Sequence, residues 1–574
     1  MLSPFLQRGI KLKQTSENHP ILITVSFLVM VSLVLPTLFP VYFREDDVVY
    51  LQWARLHPWQ DCFRPSQAVL FGMFRPVQNL TWWGLYHLAG LNPYPYQVAI
   101  LFSYLAALAT FFAFIKTALS TRVAFASMAA YGVAFYFLTY IVFWFSDLTY
   151  TLELLFAHGA LWCFALAIKF NSRRHLAGAI ALFCMAVAAK EPAALLVPLI
   201  CSQLLAVKWK QLNQHTRRYL AISAALMLTG GVLWLLMNPA VQSRQGIPLR
   251  QGFDLCSAFI MQRWSFYASC LTAFPTILVW VAVLFLAIQR VLFRSTHDTL
   301  NTLVISMGIS IAGALFLKMA PNFALLFLIS AFPLLILSRH PAGIGAIWAA
   351  PALLGILTLE FIVRTYLVET SFGLALICGT AATPLMDRLA LLATSRSAQH
   401  RKRILMLSAT ALLALGIGMH SLLSAKLQAL KILSANRQNF ADAISFLAHP
   451  NEKALAPLII VDYADMGIVY ERDILPLGDG EKALRQKTMT SLSLAAFLPS
   501  IPIHNLEWWN AHPEVMNASL LTLNVREEEF LNGMALRKSL LREWTRQGTR
   551  VRLYHITRER AALSPFESTG TSAR

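Results

Sequence analysis

The sequence predicts an all-α polytopic membrane protein with about thirteen transmembrane helices and a small C-terminal α/β domain outside the membrane. Three observations predict it. First, 57% of the 574 residues are hydrophobic and 13% are charged, about half the ~25% charge of a soluble globular chain. Second, apolar segments long enough to cross a bilayer, roughly 17–23 residues each, recur along the chain. Third, the basic residues stand in short clusters between alternate apolar segments, the topological signature of a membrane protein.

The first apolar run, Ile21 to Phe43, follows Arg8, Lys11 and Lys13. It is too long for the apolar core of a signal peptide and no small-residue cleavage site follows it, so it reads as a retained first span. Spans are then expected near 20–43, 96–115, 122–144, 148–168, 175–190, 191–207, 219–237, 271–289, 298–317, 321–338, 341–359, 370–387 and 404–422. The pair 175–190 and 191–207 is separated only by Lys190-Glu191-Pro192. A proline there breaks a helix by removing a donor and crowding the preceding turn.

That break also decides orientation. With the N-terminus inside and the break present, the clusters Lys116/Arg122, Lys169/Arg173/Arg174, Lys208/Lys210/Arg217/Arg218, Arg290/Arg294, Arg339 and Arg396/Arg401/Lys402/Arg403 all fall inside. Merging the pair into one helix would put most of them outside. Residues 1–423 thus read as the transmembrane domain, with an outer loop 44–95 and a second outer segment 238–270. Residues 424–574 read as an extracytoplasmic α/β domain. Within it an amphipathic helix is expected near 424–447, strands at Leu458–Tyr463 and Val551–Ile556, and a charged helix near 526–546.

The net charge of +19 does not indicate nucleic acid, because the basic residues follow the topology. The sequence holds no Walker loop, dinucleotide fingerprint, His-Glu-x-x-His or serine-nucleophile elbow. The seven cysteines lack metal-ligand spacing; of them, Cys62, Cys256 and Cys270 are the ones that could pair on the outer face.

Charged side chains at or inside an apolar chain are costly and mark functional candidates. Glu45, Asp46 and Asp47 stand in a row just outside the first span, either as the start of a solvated loop or as a catalytic or metal-binding carboxylate pair whose repulsion a cation or substrate offsets. Asp147 occupies a very short outer loop, where it either lines a cavity or caps the helix that follows. Glu153, one to two turns inside that helix, needs a partner. Lys190 and Glu191 interrupt apolar sequence, either as a functional pair or as charges paired with each other at the helix break. Arg364, Tyr366 and Glu369 lie at the outer start of the span near 370–387, and Arg75 lies in the first outer loop. An arginine there can hold a phosphate with two parallel hydrogen bonds, or snorkel to the interface.

Several of these stretches, in order, resemble the GT-C superfamily of polyprenyl-phosphate-dependent glycosyltransferases. The acid pair after the first span is similar to its first-loop motif. Arg75-Pro76-Val77-Gln78-Asn79-Leu80-Thr81 followed by Leu91-Asn92-Pro93-Tyr94-Pro95-Tyr96 resembles a segment of its protein O-mannosyltransferase-like members, RPL-x-N-L-x followed by G-L-N-P-x-x-Y. Ala189-Lys190-Glu191-Pro192-Ala193 resembles their K-E-x-A segment. Arg364-Thr365-Tyr366-Leu367 with Gly373-Leu374-Ala375-Leu376 resembles their late R-Y-L-Y-L-P and G-L-A element, here without the proline and with Glu369 nearby. The matches span roughly residues 20–385; the C-terminal region resembles no family.

The resemblance implies a sugar donor carried on a polyprenyl phosphate or diphosphate in the membrane lipid, and an inverting transfer at the outer, periplasmic face of a bacterial inner membrane. The acceptor is a protein, lipid or polysaccharide of unknown identity. Asp46 or Asp47 would act as general base or orient the acceptor, with Asp147 assisting. Arg364, Arg75 and Lys190 would bind the donor phosphate, with Glu45, Glu191, Tyr366 and Glu369 in support. A divalent cation, Mg²⁺ or Mn²⁺, would sit on Asp47 and Asp147. A transporter or flippase of lipid-linked glycans would also use intramembrane charge, but no inverted repeat is evident. A catalytically silent cell-envelope scaffold is the third reading.

Overall fold

The computed structural model describes residues 46–67, 74–132, 145–238, 264–265, 267–268, 271, 308–313, 315, 319, 321–337, 340–357, 367–393, 439, 442–443, 446–447, 458–461, 503–505, 512, 514–522, 536–546 and 549–558. The spans expected near 20–43 and 404–422 lie outside these residues, as do those near 271–289 and 298–317 apart from isolated positions. So do Glu45, Arg364 and Tyr366. The chain divides into two units, one of residues 1–38 and 53–424, the other of residues 39–52 and 425–574.

The first unit is helical. Its elements, with the helix that leads into it, are α1 (Asp46–Leu56), α2 (Pro76–Ala89), α3 (Pro93–Ala118), α4 (Thr121–Ala130), α5 (Leu148–Phe170), α6 (Arg173–Ala189), α7 (Ala193–Lys208), α8 (Gln214–Met237), α9 (Pro321–Leu337), α10 (Ala342–Leu357) and α11 (Val368–Ala393). Among the described residues, Pro93–Ala118, Leu148–Phe170, Ala193–Gln211 and Gln214–Met237 are long and apolar enough to cross a membrane. The expected span near 122–144 is described only in its first half, as α4.

Local chemistry sets the boundaries. Pro93 starts α3, where a missing N–H costs nothing, and Asn92 caps it by accepting from the Tyr94 N–H at 3.2 Å. Ser120 caps α4 through the Val123 N–H at 3.3 Å, and Asn213 caps α8 through the Thr216 N–H at 2.8 Å. Helix α5 ends at Asn171 in the left-handed conformation, φ 49°. The Asn171 side-chain oxygen accepts from both the Thr216 and Tyr219 hydroxyls at 2.7 Å, tying α8 to the α5–α6 turn. The break expected at Pro192 is present: α6 stops at Ala189, Lys190 is extended (φ −161°, ψ 147°), and α7 starts at Ala193.

Packing among these helices is close. Ser103 of α3 and Thr151 of α5 share a buried hydrogen bond of 2.7 Å. Helices α10 and α11 meet through Gly345 and Gly373. A Cβ on Gly373 would lie 2.6 Å from the Ala349 backbone nitrogen, which only a glycine permits.

The second unit contains a five-stranded sheet of order β2-β1-β3-β5-β4: β1 (Leu458–Val461), β2 (Ile503–Asn505), β3 (Asn517–Thr522), β4 (Leu536–Arg546) and β5 (Thr549–Arg558). Strand β1 runs parallel to β2 and β3, while β5 runs antiparallel to β3 and β4. Ala518, Leu520, Leu521, Val551, Leu553 and Ile556 form its buried apolar set. The expected strands at 458–463 and 551–556 correspond to β1 and β5. The expected charged helix near 526–546 is wrong over its second half, which is β4; residues 526–535 lie outside the described residues. Pairing with β5 along Leu536–Arg546 overrides the helix-favouring Leu, Arg, Lys and Glu of this segment.

Candidate active site

The charged residues of the first unit come together at helix starts and breaks. Asp147 closes a short 3-10 turn, Phe145–Asp147, immediately before α5. Helix α5 runs away from that end and α6 returns to it across a two-residue turn, so Lys190 and Glu191 come back to the side on which Asp147 sits. Glu369 is in the first turn of α11, and Arg75 directly precedes α2. Helix starts suit this use, because they leave backbone N–H groups that favour negative charge.

Arg75 and Glu191 form an ion pair with two parallel hydrogen bonds, Nε to Oε1 at 2.7 Å and Nη2 to Oε2 at 2.8 Å. Glu191 is therefore bonded to the residue that precedes α2, and among the described residues no ion pair joins Lys190 to Glu191. Lys190 is 8% exposed and places its ammonium 3.8 Å from the centre of the Tyr150 ring. A desolvated ammonium over an aromatic face is held there by the ring quadrupole. Arg75, Glu191, Glu153 and Asp147 all lie within electrostatic reach of Lys190.

Glu153 is fully buried on α5 and within electrostatic reach of Glu369, Lys190 and Glu191. This is the partner set that the sequence could not supply. Glu369 is 6% exposed and accepts from the Trp348 indole N–H at 2.8 Å through Oε2, while Oε1 accepts none. The cluster thus holds the carboxylates of Asp147, Glu153, Glu191 and Glu369 around the cations Arg75 and Lys190. Buried ions persist most readily when paired; here Arg75 and Glu191 form an ion pair, Lys190 lies on the Tyr150 ring, and Glu369 is held by the Trp348 indole.

Tyr150 and Trp348 did not stand out in the sequence. The signal for Trp348 was a lone indole within the apolar Gly343-Ile-Gly-Ala-Ile-Trp348 run, whose N–H must find an acceptor when buried. The signal for Tyr150 was its place one turn inside a helix that starts at an acid.

Asp47 is buried in α1, and only the backbone of Asp46 is described; both belong to the second unit. Among the described residues no group of three or more His, Cys, Asp or Glu is arranged to hold a metal ion.

Beside α2 lies a second group of polar side chains. Asp61 accepts from Arg64 at 2.9 Å and pairs with His57 Nδ1 at 3.0 Å, and the Trp83 indole donates to the His57 carbonyl at 3.1 Å. Cys62, fully buried among Trp53, Ala54, Trp83 and Tyr86, is a free thiol, which removes it from any disulfide. Burial pushes its pKa up to about 11, with Asp61 adding to the rise.

No family model matches the sequence, and no curated protein matches it. Solved structures do. One is ArnT from Cupriavidus metallidurans bound to undecaprenyl phosphate, at 14% identity over 93% of this chain and 97% of that one, TM-score 0.43. Another is the archaeal oligosaccharyltransferase AglB from Archaeoglobus fulgidus in complex with an inhibitory peptide and a dolichol-phosphate, at 12% identity over 94% of this chain and 75% of that one, TM-score 0.43. A third is the Archaeoglobus fulgidus oligosaccharyltransferase in complex with Zn and sulfate, at 14% identity over 79% of this chain and 61% of that one, TM-score 0.42.

Proposed function

We propose that this chain is a membrane glycosyltransferase that moves a sugar from a polyprenyl-phosphate carrier to an acceptor hydroxyl, at the periplasmic face of a bacterial inner membrane. The observation that carries the reading is the buried cluster of Lys190, Asp147, Glu153, Glu369 and the Arg75–Glu191 pair, built from the starts and breaks of helices in an apolar bundle. A cation and an acid within electrostatic reach of each other, at the end of membrane helices, match the two charges that develop in this reaction.

In the transfer, the acceptor oxygen bonds to the anomeric carbon as the bond from that carbon to the phosphate oxygen breaks. The bond's electron pair leaves with the polyprenyl phosphate, and the acceptor's proton passes to a carboxylate. Lys190 meets the growing phosphate charge in a site with little water to screen it. Arg75 is committed to Glu191 and fixes the Lys190 segment against the first outer loop. Asp147 is the acid we assign to the acceptor side. Asp46 and Asp47 keep the base role that the sequence resemblance implies, to be tested by substitution. No step is assigned to a metal ion.

The test uses the full chain in lipid nanodiscs with a radiolabelled polyprenyl-phosphate sugar and membrane extract as acceptor. Sugar release onto the acceptor, lost in Lys190→Gln and Asp147→Asn, supports the reading. Asp46→Asn and Asp47→Asn report whether the first-loop acids share the base role. Movement of the lipid between leaflets without sugar release would make the protein a transporter. Lipid binding with neither activity would make it a scaffold.

A further inference from the structure

Tyr150 and Lys190 stand about equally far along the chain from the turn between α5 and α6, so the two helices bring them back to the same end. Helix α6 ends at Ala189, and Lys190 is extended there (φ −161°, ψ 147°). Its ammonium lies 3.8 Å from the centre of the Tyr150 ring, and both residues are 8% exposed. Among the described residues no ion pair joins Lys190 to a carboxylate.

The residue beside each partner is tied down. Thr151, next to Tyr150, shares its buried hydrogen bond of 2.7 Å with Ser103 of α3. Glu191, next to Lys190, is taken up by Arg75 through two hydrogen bonds of 2.7 and 2.8 Å. The first turn of α5 is thereby fixed to α3, and the break after α6 to the segment before α2. The carboxylate adjacent to Lys190 in sequence is engaged elsewhere, and the ammonium rests on the ring.

The ring does not cancel the charge. A carboxylate against Lys190 would neutralise it, and a phosphate would have to displace that partner. A ring face attracts a cation through its quadrupole and carries no net charge. An ammonium held this way keeps its charge and keeps N–H donors for an anion.

We propose that Tyr150 is a positioning residue: its ring, in place of a carboxylate, holds the Lys190 ammonium at the break after α6 and leaves that charge for an incoming phosphate. The inference deepens the reading of Lys190 as the cation that meets the donor phosphate and rests on it for that consequence. The contact between ring and ammonium stands without it. A tyrosine that served packing alone would act through its shape. A positioning tyrosine acts through the electron density of its ring face.

The experiment separates shape from ring charge. Phenylalanine and its mono-, di- and trifluorinated forms are placed at position 150 of the full chain in nanodiscs. Each fluorine drains the ring face and changes its size little. The first readout needs no ligand. It is the rate at which trace acetic anhydride modifies Lys190, followed by mass spectrometry, with the exposed Lys210 beyond α7 as internal reference. A drained ring holds neither the proton nor the place of the amine. The Lys190 rate should therefore climb stepwise, by about fivefold across the series, while the Lys210 rate stays constant. The second readout is the Kd for undecaprenyl phosphate. The trifluorinated form should bind about fivefold more weakly than Tyr150→Phe, and fluorination should leave the weaker Kd of the Lys190→Gln background unchanged.

A Lys190 rate that stays flat along the series overturns the inference, as does a loss of phosphate binding of equal size in the Lys190→Gln background. Should Tyr150→Phe fail to fold, mono- and difluorinated tyrosine at position 150 make the same comparison with the hydroxyl kept, and a flat rate there refutes the proposal. A stepwise rate in a protein that does not bind undecaprenyl phosphate leaves the positioning role standing and removes the sugar-donor reading. A flat rate in a protein that binds it does the reverse.

Discussion

Arg75 and Glu191, 116 residues apart, are joined by two hydrogen bonds of 2.7 and 2.8 Å between a loop before α2 and the break between α6 and α7. Each side chain keeps 15–17% exposure, so water offsets little of a lost charge partner. Removing one partner leaves a nearly buried ion uncompensated, whereas removing both does not. Arg75→Gln and Glu191→Gln should each lower stability by about 3 kcal/mol, and the double variant by clearly less than the sum. Arg75→Lys should behave like Arg75→Gln, because an ammonium cannot make the two parallel bonds. Thermal unfolding of the four proteins in one lipid composition measures this; additive losses would show that the pair is not coupled.

Much of the helical fold was legible because crossing a bilayer demands long apolar runs, and these mark themselves. The break at Pro192 was legible from one residue and the charge clusters it keeps on one side. Strand β4 was not. Arg537, Lys538, Arg542, Glu543 and Arg546 are an ordinary helix surface locally, and only the ladder to β5, a nonlocal fact, makes them the exposed edge of a sheet. In the site, the charges Arg75, Asp147, Glu153, Lys190, Glu191 and Glu369 stood out because ions are rare in apolar sequence. Their pairing did not. Nothing local says that Glu191 bonds to a residue 116 positions earlier rather than to its neighbour, or that Trp348 holds Glu369.

Helices α7 and α8 approach through a glycine, and that contact lies next to the site. A Cβ on Gly231 would lie 2.9 Å from the Ala194 carbonyl carbon, where backbone must move rather than a side chain tip. Ala194 follows Glu191 by three residues, so a displacement of α7 carries the Lys190–Glu191 segment with it. Gly231→Ala should cost about 1–3 kcal/mol and also lower sugar transfer, although position 231 touches none of the charged groups. Unfolding and transfer measured on the same preparation test it. Full stability with full activity would show that the α7–α8 contact gives way without consequence.

Cys62 gives a pH prediction outside the helical bundle. Its pKa of about 11 lies about two units above the ordinary thiol range, so the thiolate fraction at neutral pH falls about 100-fold. Maleimide modification in the folded protein should be slow at pH 7 and climb about tenfold per pH unit toward pH 10. Denaturant should abolish the difference from a free thiol. Modification at pH 7 as fast as that of the unfolded chain would mean that the Trp53, Trp83 and Tyr86 shell does not exclude water.

The β4–β5 ladder contains one irregularity whose consequence is sharp. Leu540 pairs with Tyr554 and Arg542 with Leu553, so Leu541 is an extra residue with no partner position, half exposed in a bulge. Deleting Leu541 brings Leu540 and Arg542 into consecutive pairs and leaves every side chain on its present face. Deleting Ser539 instead shifts Arg537 and Lys538 by one place and turns each to the opposite face. The Leu541 deletion should therefore stay within about 1 kcal/mol of the parent, while the Ser539 deletion should unpair the start of β4. Limited proteolysis of the second unit distinguishes them: new cleavage at Arg537 and Lys538 is expected only in the Ser539 variant. Equal protection of both would mean that β4 holds its edge position without a fixed register.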